Sequence, residues 1–103
     1  MKMLILLFLI FPALVLADAS TPPLTIKKIE TGWGSEGIYI STNEGIKVEG
    51  CTSAVLRINS NHVMLDKILS IALSAYHTKS KVQFRVAGCT GERMNLVAIA
   101  ILK

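Results

Sequence analysis

The sequence is poor in the residues that usually do chemistry. Its 103 residues hold two cysteines, two histidines, one tryptophan and three prolines, and only 17% of them are charged. Neither CxxC spacing nor clustered histidines accompany the cysteines, so a metal or thiol-redox centre has no support beyond the thiol pair itself. No GxSxG elbow surrounds any serine, and no other catalytic or cofactor motif occurs. The chain therefore reads as a non-enzyme with no cofactor, no metal and no catalytic residue. Its eleven Lys and Arg exceed seven Asp and Glu, giving a formal net charge of +4. Among them Lys27, Lys28, Lys47, Arg57, Lys79, Lys81, Arg85 and Arg93 are scattered along the chain. Without a basic run, no nucleic-acid partner is expected, only a mild preference for acidic surfaces.

Long apolar runs are equally scarce, with one exception at the start. Lys2 is followed by an apolar stretch from Met3 to Leu16, broken only by Pro12, and then by the small residues Ala17 and Ala19. That order predicts a secretory signal over residues 1–19, cleaved after Ala17 or after Ala19. The run of about 14 residues is shorter than the roughly 20 a spanning helix needs, so no membrane span is expected after cleavage. What remains is an exported chain, periplasmic or secreted, of about 85 residues and one domain over 20–103, near the small end of what an apolar core stabilises unaided. In an exported chain Cys51 and Cys89 pair by default. Closing a loop of about 38 residues contributes about 4 kcal/mol in the chain-entropy model.

Ala19 to Pro23 reads as an extended lead-in that does not fold, because adjacent prolines donate no ladder bonds. Leu24 to Thr31 is β-rich, with the alternation losing phase near Lys27 and Lys28 as at a bulge. A loop over 31–37 leads to a second strand, Gly37 to Thr42, and Asn43 to Gly45 turns the chain back through Ile46 and Val48. Ala54 to Ile58 is the third strand. From about Asn61 to Thr78, Leu65, Ile68, Leu69, Ala72, Ala75 and Tyr76 recur at helical spacing, with Asn59, Ser60 and Asn61 as N-cap candidates. Lys81 to Ala87 alternates Val82, Phe84 and Val86 inward, and Asn95 to Leu102 is an apolar strand suited to the middle of a sheet. Glycine flanks both cysteines, in Gly50-Cys51-Thr52 and Gly88-Cys89-Thr90, and both are expected at strand ends. The order predicts a mainly β fold, a small five-stranded OB-like barrel with one helix between strands 3 and 4. An α+β sandwich of the same order is the alternative.

Few side chains stand out as sites. His62 and Asp66 are one helical turn apart, which suits a solvated cap pair, and His77 suits a partner for the helix dipole. The loop holding Trp33, Ser35 and Glu36 sets one large aromatic among flexible polar positions, a composition for sugar or peptide contact. The competing reading folds Trp33 back as a lid on the core. Tyr39 and Tyr76 read as core or interface. Met64, Ile68, Ile71 and Ala75 form a stripe that could be apolar surface left over for an oligomer or pore-facing helix.

The segment ALSAYHTKSKVQFRV, the earlier IKKIETG and the two cysteines together resemble the B subunits of subtilase-cytotoxin-like and pertussis-like AB5 toxins. Thr31-Gly32, Ala72-Leu73, Tyr76, Thr78 and Val82 carry the likeness, which spans most of the exported part. The resemblance implies a secreted OB-fold domain that forms a homo-oligomer, a ring of five, with helices around a central pore. It also implies binding to a cell-surface glycan and a toxin A chain as partner. The serine by which that family touches sialylated glycan has no counterpart in Thr21-Pro22-Pro23, so its role is not carried over. A stand-alone protein-binding or inhibitory domain without a toxin partner is the second class of function.

Overall fold

A computed structural model describes residues 18–32, 34, 36–90 and 92–102. The expected signal falls on residues 1–19, nearly all outside the described residues, as do Trp33 and Ser35.

Alternation of apolar and polar residues builds most of the sheet. The strands are β1 (Asp18–Ser20), β2 (Ile26–Thr31), β3 (Gly37–Thr42), β4 (Leu56–Asn59), β5 (Val82–Thr90) and β6 (Arg93–Ile101), with helix α1 (Leu65–Thr78) between β4 and β5. They form one sheet in the order β1-β5-β6-β4-β3-β2, with β4 and β6 parallel and the other pairs antiparallel. In β5 the expected inward residues Val82, Phe84 and Val86 are fully buried, while Gln83 and Arg85 face out. The apolar β6 lies mid-sheet as its composition requires. The phase slip in β2 is also present, as a register shift between Ile26 and Lys28.

The count of five strands is corrected to six. Asp18, Ala19 and Ser20 pair with Ala87, Val86 and Arg85, so the segment expected only to lead in is part of the sheet. The prolines do not prevent this, because ladder bonds fall on either side of them. Thr21 N donates to Phe84 O at 2.9 Å, Leu24 N donates to Val82 O at 2.8 Å, and Val82 N returns to Leu24 O at 2.7 Å. Residues 18–24 thus run along β5 while residues 26–31 run along β3. One continuous stretch of chain touches both ends of the sheet.

The helix starts later than its polar prelude implies. Residues 59–64 form turns, in which Asn59 O accepts from His62 N at 3.0 Å and His62 Nδ1 accepts from Met64 N at 3.0 Å. Leu65 opens α1, and its N-cap position, Met64, supplies no side-chain bond. The Asn-Ser-Asn cluster is therefore spent on the turn, and His62 caps locally instead of pairing with Asp66. At the other end Lys79 adopts the left-handed conformation at φ 60°, its N–H donating to Ala75 O. Ile68, Ala72 and Ala75 are buried where α1 packs on β6 and β2. Two alanines on that face let the helix axis lie close to the sheet. The core beneath combines Leu24, Ile40, Leu56, Ile58, Phe84, Met94 and Leu96.

Cys51 and Cys89 form the expected disulfide, with Cα atoms 5.8 Å apart. Cys89 lies near the end of β5, but Cys51 sits in the irregular segment ahead of β4, not at a strand end. The bridge ties that segment, which has no ladder of its own, to the sheet. Among the described residues no helix is long and apolar enough to cross a membrane.

Candidate functional site

The loop that joins β2 to β3 closes through Gly32 N donating to Gly37 O at 2.8 Å. Of the three residues expected there to contact a ligand, Trp33 and Ser35 lie outside the described residues, and Glu36 is exposed. Glu36 does not stand alone. Its Oε1 accepts from the Tyr39 hydroxyl at 2.5 Å, and its backbone oxygen accepts from Arg57 Nε at 2.8 Å. Arg93 lies over the Tyr39 ring, its Cζ 4.4 Å from the centroid. The glutamate packs so tightly over Gly32 that a Cβ there would meet its Oε1 at 2.6 Å and the Tyr39 ring at 3.0 Å.

Strand periodicity explains why these side chains meet. Ile40, Leu56, Ile58 and Met94 turn inward, which places Tyr39, Arg57 and Arg93 on the opposite face of three neighbouring strands. Tyr39 pairs directly with Arg57 across β3 and β4. The hydrogen bond to Glu36, with lesser contributions from desolvation and the same carboxylate's charge, raises the Tyr39 pKa above its usual value. The face therefore offers a neutral phenol, two guanidinium groups and a carboxylate beside the tryptophan loop, a mixed donor and acceptor set suited to hydroxyl-rich ligands. Tyr39, read from sequence as core or interface, belongs to this face. Arg57 and Arg93 passed unnoticed among the scattered cations. The alternation that buries their neighbours was the signal that could have found them.

A second concavity lies at the far end of α1. Thr25, Lys27, Asn43, Tyr76, His77 and Lys79 line a cleft of about 610 Å³. Thr25 anchors its floor: its N–H and hydroxyl both donate to the Glu44 carboxylate at 2.9 Å, and Asn43 Nδ2 donates to its Oγ1 at 2.9 Å.

Of the stripe expected to face an oligomer, Ile68 and Ala75 are buried in the chain's own core, Ile71 is half-buried and Met64 is 43% exposed. Helical spacing had assigned Ile68 and Ala75 to both roles, and packing on the sheet takes them. Apolar exposure around the helix instead falls on Val63, Met64, Leu73 and Tyr76. Among the described residues no group of three or more His, Cys, Asp or Glu could hold a metal ion.

Comparison of the sequence with models of protein families finds no match, and comparison with curated proteins finds none either.

Proposed function

We propose that this chain is an exported, OB-type sugar-recognition module, similar to the B subunits of AB5 toxins, that attaches to a cell-surface glycan. The observation that carries this reading is the grouping of Glu36, Tyr39, Arg57 and Arg93 on one face of β3, β4 and β6 beside the tryptophan loop. In OB folds the second and third strands and the loops after the first and fourth strands form the surface that takes oligosaccharides. Counting OB strands from β2, those elements are β3, β4, the loop over 31–37 and the turn before Arg93. The sheet order with parallel β4 and β6 fits this topology, and the Leu24–Val82 bridge supports reading the sheet as a barrel closed by residues 18–31. The sequence puts Trp33 and Ser35 in the same loop.

Export is supported by the disulfide. Cleavage after Ala17 is the better of the two cuts, since a cut after Ala19 would remove two of the three residues by which β1 pairs with β5. The ring oligomer is supported by apolar surface at Val63, Met64 and Leu73, which are 90%, 43% and 49% exposed. A ring leaves the toxin A chain as the natural further partner.

A glycan array probed with the exported chain, beside Tyr39→Ala and Arg93→Ala, tests the reading. Binding by the wild type that falls at least tenfold in both variants supports it. Light scattering is expected to return the mass of five chains. A monomer that binds no glycan would leave the stand-alone inhibitory domain as the surviving alternative.

A further inference from the structure

We propose that the cleft at the C-terminal end of α1 binds a sulfated saccharide, independently of the loop face. Its volume of about 610 Å³ falls in the range of small-ligand clefts, and it is open to solvent on one side. Three cationic or cationisable groups converge on it, Lys27 from β2 and His77 and Lys79 from the helix end, and no acidic side chain lines it. The nearest acid in sequence, Glu44, is held by Thr25 through both oxygens. The one ion pair formed among the described residues is Lys28 with Glu30, so Lys27, His77 and Lys79 pair with no carboxylate among those residues.

His77 and Lys79 by themselves would be explained by the helix dipole, which favours cations at this end. Lys27 has no such explanation. It comes from a strand, and its presence turns a pair of end-of-helix charges into an open cleft lined from two elements. Tyr76, 47% exposed, gives the cleft an aromatic wall against which the C–H face of a pyranose can pack. Asn43 and Thr25, fixed by their mutual bond, give it a polar floor. Two lysines and a histidine around one small cleft offer more donors than a single carboxylate needs, and they match a sugar carrying sulfate, whose oxygens can accept from several donors at once. With Lys2 gone with the signal the exported chain still holds more Lys and Arg than Asp and Glu, which favours approach of such a ligand.

The test titrates the folded exported chain, by calorimetry, with a sulfated heparin-derived disaccharide, its unsulfated counterpart and inorganic sulfate. The sulfated disaccharide is expected to bind, and the other two at least tenfold more weakly. Replacing both lysines, Lys27→Gln with Lys79→Gln, should weaken it at least tenfold; both side chains are exposed, so the fold, checked by circular dichroism, should persist. Lys67→Gln, twelve residues before Lys79 and so about 18 Å away along the helix, removes the same kind of charge and should leave affinity within twofold. The proposal is overturned if the sulfated disaccharide does not bind, if its unsulfated counterpart binds as tightly, if the double variant binds like wild type, or if Lys67→Gln weakens binding as much. Binding that survives Tyr39→Ala separates this site from the loop face.

Discussion

Thr21 carries its hydroxyl into the core at 2% exposure and keeps it satisfied there: Oγ1 accepts from Phe84 N at 3.1 Å and donates to Pro22 O at 2.9 Å. Its backbone oxygen accepts from Gln83 Nε2 at 2.9 Å. Thr21→Val keeps the shape but strands the Phe84 N–H, and should cost about 1–3 kcal/mol; a denaturant midpoint equal to wild type would show that this hydroxyl does not hold the first strand in place. At Tyr39 the prediction concerns a proton. Because the folded pKa is raised, the neutral phenol contributes stability that is complete below the unfolded value of about 10 and is lost as pH rises through the folded value. Glu36→Gln removes the carboxylate responsible, and an ultraviolet titration in a Tyr76→Phe background should find Tyr39 ionising at lower pH than in the parent. Glu44 works in the opposite direction. The Thr25 N–H and hydroxyl lower its pKa, so its contribution is present above the unfolded carboxylate value and lost as pH falls through the lowered folded one.

At the scale of elements, the helix shows what periodicity can and cannot give. Three-and-four spacing marked Leu65, Ile68, Leu69, Ala72, Ala75 and Tyr76 as one face, but it also put Ile68 and Ala75 on the leftover stripe; packing buries Ile68, Ala72 and Ala75 and leaves Tyr76 47% exposed. The start was not legible, since Asn59, Ser60 and Asn61 serve a turn as well as they serve a cap, and only the position of Leu65 over the sheet separates those uses. The end carries a measurable cost: Lys79 is the one described non-glycine residue at positive φ. Lys79→Gly should stabilise the fold by about 1 kcal/mol and raise the melting temperature, while removing a cation from the helix-end cleft. The strands divide in the same way. Inward Val82, Phe84 and Val86 follow from alternation alone, whereas β1 lacks a signal of its own. Three residues beside a proline pair become a strand only because β5 offers them an edge.

For the whole molecule, the disulfide is the covalent tie between the irregular segment and the sheet, beside the bonds from Met94 N to Val55 O and from Val48 N to Met94 Sδ. With a sequence separation of 38 between Cys51 and Cys89, removing both thiols as Cys51→Ser with Cys89→Ser should destabilise the chain by about 4 kcal/mol, most of the stability of a domain this small. Urea unfolding of the variant, compared with the oxidised and reduced parent, measures it. A loss below 1 kcal/mol would mean that the segment around Cys51 is held by packing alone.

The sequence by itself determined a mainly β fold with a single helix, the inward residues of β5 and the pairing of its two cysteines, since each depends on local spacing or on there being a single partner available. Only the tertiary structure decided that residues 18–20 make a sixth strand, that Ile68 and Ala75 belong to the core, and that Tyr39, Arg57 and Arg93 share a face with Glu36. It alone brings Lys27 to the helix end. Those facts depend on which strands become neighbours, and adjacency between residues dozens of positions apart is set by the sum of core packing and ladder bonds across the sheet.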